Sequence, residues 1–185
     1  MNRTSKGWTM FLALALALGA GLNTASVSAD SGAATYEYYI GSGVVCSFGP
    51  SACPAVAMTA PGETLHLTGS GTLSIHPNSV TGGGDATHYF IGGGSISGYW
   101  LPEQLLSFTE YGCGDAGSPA NYCGGQAVIR IGIYIGGVNV VDGTLKVESR
   151  RGAFPAGTIE GMRFAAQGRN FNKIISGSTL FIKQP

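Results

Sequence analysis

From Thr35 to the end, the chain is a series of short runs in which apolar and polar residues alternate, broken every few positions by glycine. Alternation at period two marks strands with one buried face. Thr35–Ile40 (T-Y-E-Y-Y-I) is aromatic and β-prone. A short strand is predicted at Val56–Thr59. Gln126–Gly136 carries Ala127, Ile129, Ile131, Ile133 and Ile135 on one face. Gly143–Arg150 puts Leu145 and Val147 inward and Lys146 and Glu148 outward. Gly161–Gln167 points Met162, Phe164 and Ala166 inward, and Ser176–Lys183 closes the sheet with Leu180 and Ile182.

Two stretches have more than one consequence. In Thr64–His76, Leu65, Leu67, Leu73 and Ile75 share a face, with His66, Thr68, Ser74 and His76 on the other. Either a hairpin about Gly69-Ser70-Gly71 or one long strand with a glycine kink keeps that parity. The hairpin sets His66 and His76 roughly 7–8 Å apart; the long strand separates them by roughly 33 Å. In Thr81–Tyr111, a three-residue loop Gly92–Gly94 pairs Phe90 with Ile96 and His88 with Gly98. One face of that hairpin then carries Ala86, His88, Phe90, Ile96, Gly98 and Trp100. Farther on, Leu106 and Phe108 share a face with Glu110, and the Met162–Phe164 face extends back to Glu160.

No window holds a sustained helical period; Leu101-Pro-Glu-Gln-Leu-Leu is at most one helical turn. The chain's 31 glycines are spread largely over the short strand-like runs and their turns. The fold class is therefore all-β, an antiparallel meander of about eight to ten strands, a barrel with a sandwich as the alternative. Gly82–Gly84 and Gly92–Gly94 read as turns, since no helix follows them to make a dinucleotide site.

The first 29 residues stand apart. Arg3 and Lys6 precede the apolar run Thr9–Leu22, and Val27-Ser28-Ala29 ends in small residues. This is the pattern of a secretory leader cleaved after Ala29, and the run is shorter than the roughly 20 residues of a membrane span. One secreted domain, 30–185, remains. Its 8 basic and 10 acidic residues give a net charge of 8 − 10 = −2, which attracts neither nucleic acid nor an anionic membrane. In an exported chain four cysteines predict disulfides. Cys46–Cys53 and Cys113–Cys123 are favoured because each closes a short Gly- or Pro-containing loop. Their C-x6-C and C-x9-C spacings do not suit zinc.

Familiar catalytic motifs are absent: there is no G-x-S-x-G, H-E-x-x-H, Walker loop or EF-hand. Alternation nonetheless assigns His88, Glu110 and Glu160 to apolar faces. A histidine with carboxylates in one pocket is the arrangement acid–base catalysis requires. Mouths of the barrel, or pairing with Arg130 or Arg163, explain the same residues without catalysis. Tyr99, Trp100, Tyr111 and Arg130 are the candidate ligand-binding residues around them. Histidines 66 and 76 would need a third ligand to hold a metal, and none stands nearby. No metal or cofactor is expected.

The segments T-L-S-I-H-P-N-S-V-T-G-G-G (Thr72–Gly84), Q-L-L-S-F-T-E-Y-G-C-G (Gln104–Gly114), C-G-G-Q-A-V-I-R-I (Cys123–Ile131) and N-F-N-K-I-I-S-G-S-T-L-F-I (Asn170–Ile182) resemble an uncharacterised family of small secreted β proteins of bacteria and fungi. That resemblance implies export and compactness, with no activity attached. More loosely, G-S-G-T-L-S and T-G-G-G are similar to the strand and turn patterns of allene oxide cyclase and dirigent-type barrels, which implies a central cavity. The first expectation is a secreted β-barrel binding a small hydrophobic or carbohydrate ligand without catalysis. The second is a barrel-lumen isomerase, cyclase or lyase using His88 and Glu110, with Tyr99 or Tyr111 as a donor. The third is an extracellular structural or interaction protein without a pocket.

Overall fold

The computed structural model describes residues 33–185, so the expected leader lies outside the described residues. The strands are β1 (Thr35–Ile40), β2 (Ala55–Met58), β3 (Thr64–Leu67), β4 (Gly69–Ile75), β5 (Asn78–Val80), β6 (Gly84–Tyr89) and β7 (Ser95–Cys113). They continue as β8 (Tyr122–Ile135), β9 (Val138–Ser149), β10 (Gly161–Ala166), β11 (Arg169–Phe171), β12 (Lys173–Ser176) and β13 (Thr179–Lys183). Among the described residues one 3-10 helix, Gly43–Phe48, follows β1. All thirteen strands belong to one antiparallel sheet, a curled half-barrel ordered β12-β2-β3-β6-β7-β8-β13-β1-β4-β5, with β9, β10 and β11 branching from β8. Every strand, both disulfides and the core fall within the compact unit Gly32–Pro185.

The curl comes from one hairpin. β3 and β4 are halves of a single strand parted at Thr68, and β5 and β6 are the halves of its partner. Their register runs without a slip from Thr64↔Tyr89 through Leu67↔Ala86 and Ser70↔Gly83 to Ile75↔Asn78. Of the two arrangements expected, the chain takes the long kinked strand. Its halves find different neighbours on the far side: β3 pairs with β2, β4 with β1. The sheet thus leaves the strand at β3, passes through β6, β7, β8, β13 and β1, and returns to it at β4.

At the kink, backbones approach more closely than any side chain allows. A Cβ on Gly84 would collide with the Thr68 carbonyl oxygen and the Gly69 Cα, and one on Gly69 would lie 2.5 Å from the Trp100 ring. Trp100 is fully buried, and its indole N–H donates to the Thr68 carbonyl at 3.0 Å. A buried indole needs such a partner. Below the kink the lumen is filled by aromatics: Tyr38 lies 6.4 Å from Trp100, Tyr36 4.8 Å from Phe108, and Phe108 5.0 Å from Phe181. Ile129, Ile131, Leu145 and Met162 are buried beside them, as their alternation predicts.

Both expected disulfides form. Cys46–Cys53 ties the 3-10 helix to the approach to β2. Cys113–Cys123 joins directly opposed residues of β7 and β8.

Four expectations are corrected. Leu101–Leu106 is not a helical turn but part of the 19-residue strand β7. Bulges near Pro102/Gln104, Leu105/Ser107 and Glu110/Gly112 interrupt its register with β8. Each bulge adds a residue and breaks alternation, so Leu105 is buried while Leu106 is exposed. In β13 Phe181, not Ile182, joins Leu180 as a fully buried residue. Glu148 is buried instead of outward, held by Arg163 and, at 3.3 Å, by Lys146.

The kink sets the first prediction. Gly84→Ala forces apart two backbones in contact, and overpacking of this kind costs about 3 kcal/mol. The urea midpoint of the variant should fall accordingly; a loss below about 1 kcal/mol would mean that the strands part there freely.

Candidate functional site

Above the kink the filling changes. Ala86 and Gly98 stand where the lower half carries aromatics, and a cavity of about 260 Å³ is left. Leu65, Ala86, His88, Ile96, Phe164 and Phe171 line it. Its size lies just under the roughly 300–1,000 Å³ of drug-sized ligand sites.

His88 reaches the cavity through parity. It pairs with Leu65 on β3 and with Ile96 on β7. The β6–β7 loop is longer than expected: the Phe90 N–H donates to the Gly94 carbonyl at 3.1 Å, and Gly93 N–H donates back to Phe90 at 3.3 Å. His88 therefore faces Ile96, not Gly98. A shift of two residues leaves the face unchanged. The imidazole packs 4.3 Å from the Phe90 ring and edge-on to Phe171 at 5.3 Å.

Two residues that alternation did not single out complete the polar edge. Glu63 precedes β3 in a turn fixed by Thr59, whose N–H donates to the Glu63 carbonyl at 2.9 Å and whose Oγ1 accepts the Glu63 N–H at 3.0 Å. Arg169 opens β11 after the turn Gln167–Gly168, with φ of 46° and 79°. Positive φ at both positions is what a tight hairpin turn requires. Glu63 Oε2 lies 3.1 Å from Arg169 Nη1 and 3.4 Å from His88 Nε2. The second approach is close but not aligned as a hydrogen bond: among the described residues His88 Nε2 is buried without a partner. The cavity is thus largely apolar, with Gln167 and Arg169 in its lining, and the unpartnered His88 Nε2 has almost no accessible surface.

The other expected site residues are dispersed. Ile96, beside His88, and Glu110 are 14 residues apart on β7, on the order of 45 Å of strand. Glu110 accepts a short hydrogen bond from the Tyr36 hydroxyl and lies 3.5 Å from Lys183 Nζ. Glu160 accepts the Thr179 N–H at 3.2 Å. Tyr99 stacks on Tyr134 at 5.2 Å, exposed to solvent. Trp100 is sealed in the core, Arg130 is exposed, and Tyr111 is half-buried near Glu148. Cys113 and Cys123 lie with Glu110, but sulfurs joined in a disulfide offer no thiolate to a metal. His66 packs against Tyr89 with tilted rings 4.6 Å apart, and partial burial holds its pKa below the usual value. His76, at the far end of the kinked strand, does not reach it.

Burial raises the Tyr36 and Tyr38 pKa values well above that of a free phenol, and the Glu110 carboxylate raises Tyr36 further. Since unfolded tyrosine ionises near 10, the unfolded chain sheds protons there that the folded chain keeps. This stabilisation is complete below pH 10 and declines as pH rises through and beyond it. Urea midpoints between pH 8 and 11 should fall in the alkaline range, less steeply for Tyr36→Phe. Parallel pH profiles for the two proteins would refute the assignment. No protein-family model, curated protein or solved structure matches the chain.

Proposed function

We propose that this chain is an exported, non-catalytic binding protein that takes a small apolar molecule into the cavity beside His88. The observation that carries the reading is the chamber itself, about 260 Å³ walled by Leu65, Ile96, Phe164 and Phe171. A preformed, largely apolar cavity suits a small hydrophobic ligand, and Gln167 and Arg169 in its lining suit a single hydroxyl or carbonyl on that ligand. An apolar wall favours a hydrophobic molecule over a sugar. Binding is favoured over turnover because His88, Glu110 and Glu160 do not share a pocket. Export rests on the leader pattern. It is consistent with two disulfides and with the lack, among the described residues, of any helix long and apolar enough to cross a membrane.

Indole and a medium-chain alcohol are suitable probes. Titrating either should shift the backbone amide resonances of Leu65, His88 and Phe171 saturably. Ala166→Leu places a larger side chain on the cavity wall and should weaken binding at least tenfold, equal to about 1.4 kcal/mol. Absence of saturable shifts with both probes, or equal affinity in the variant, would remove the cavity as a binding site.

A further inference from the structure

Glu63, Arg169 and His88 meet at one oxygen. Glu63 Oε2 accepts an N–H from Arg169 Nη1 at 3.1 Å and faces His88 Nε2 at 3.4 Å. The Glu63 backbone is set by its own turn, through the bond to Thr59 Oγ1. His88 is fixed as firmly. It pairs with Leu65 and Ile96 on the flanking strands, and its ring packs against Phe90 and Phe171. Only 17% of its side chain is accessible, and the residue lines the cavity. Of its two ring nitrogens, Nε2 is sealed without a partner among the described residues and Nδ1 is not.

A nearby carboxylate decides which nitrogen of a neutral imidazole carries the proton. One nitrogen has an N–H and the other a lone pair. A lone pair on Nε2 would stand 3.4 Å from an oxygen that already serves Arg169 as an acceptor. In a wall with little water that repulsion is strong. An N–H at Nε2 is attracted to the same oxygen, even without the alignment of a hydrogen bond. We propose that Glu63 holds His88 in its Nε2–H form, so that Nδ1 offers a bare lone pair and the ligand is an apolar molecule bearing an O–H or N–H donor. This rests on the cavity being a ligand site, and it narrows what the site takes. A carbonyl or ether would bring a second acceptor to Nδ1 and leave both unpaired. Gln167 carries donor and acceptor alike, so it does not choose. Arg169 can donate to a ligand oxygen, but it is more than half exposed, and a hydrated, flexible donor discriminates little. A rigid acceptor that goes unpaired when the wrong ligand binds discriminates more.

The test uses the chain from Asp30 onward, which keeps the compact unit and both disulfides. Long-range proton–nitrogen spectra at pH 8, where an ordinary imidazole is neutral, report the tautomer before any ligand is added. The His88 ring signals, identified by their loss in His88→Phe, should show Nε2 protonated and Nδ1 bare. Indole should bind at least tenfold more tightly than benzofuran, its isostere with oxygen in place of the N–H. His88→Phe should remove that preference by weakening indole. Glu63→Gln keeps the side-chain shape without the charge; it should give mixed tautomer signals and a smaller preference for indole. A purely structural role for Glu63 would leave the nitrogen signals unmoved. A bare Nε2, or both nitrogens protonated at pH 8, would overturn the proposal. Equal binding of indole and benzofuran would overturn it alone. If indole, benzofuran and a medium-chain alcohol all fail to bind, the cavity reading falls and takes the proposal with it.

Discussion

The indole of Trp100 against the Thr68–Gly69 peptide is the contact on which the architecture depends. A hairpin of this length would ordinarily lie flat within one sheet. Here the Thr68 carbonyl accepts the indole N–H. The strand bends at that point, and the glycines at 69, 71, 82 and 84 let the paired backbones close up. Because the bend delivers β3 and β4 to different neighbours, the sheet curls back to the strand it left. Packing follows from the same bend. Tyr36, Tyr38, Phe108 and Phe181 fill the side where β1 and β13 complete the curl. On the other side small residues meet Phe164 and Phe171 across a gap.

The gap persists because collapsing it requires moving the hinge hairpin, which is pinned in register along its whole length. Close-packed interiors tolerate few voids of this size, and each lining atom forgoes dispersion contacts on its open side. His88 adds a second cost, a buried ring nitrogen near a carboxylate but not hydrogen-bonded to it. A filled cavity removes the first of these costs. The Glu63–Arg169 pair at the edge, by contrast, is more than half exposed on the arginine side, so it orients Glu63 more than it stabilises the fold.

What was legible in the sequence was parity. Alternation placed His88, Ile96 and Ala86 on the inner face although the loop length was misjudged, since an error of two residues does not change the face. Short loops between cysteines gave both disulfides. What was not legible came from interactions between distant segments. Bulges in β7 exchanged Leu105 for Leu106, and no local pattern announces a bulge in a run as apolar as Gln104–Phe108. Glu148 looked outward by alternation, yet Arg163 from the adjoining strand and Lys146 two residues before it make its burial tolerable. Glu63 and Arg169 sit 106 positions apart in turns where period-two reasoning has no purchase. Their one local signal was turn chemistry, Pro61-Gly62 before Glu63 and Gln167-Gly168 before Arg169.

The distribution of charge gives the molecule a direction. Only 11% of the residues are charged, and the long strands show where they stand. On β7 the first charged residue is Glu103; on β8 the last is Arg130. The two antiparallel strands therefore share an end with no charged residue of their own, near Phe90, Ile91 and Val138, and an opposite end with Glu110, Lys183, Arg150 and Arg151. Solubility requires polar groups somewhere on the surface but not their exclusion from one end. Scattered charge would serve solubility equally well and would shield the exposed side chains. The segregation is not complete, because Arg169 lines the cavity and pairs with Glu63 at its edge, and Asp85 stands opposite Tyr99. A single bend at Thr68 thus divides the sheet into filled and unfilled halves.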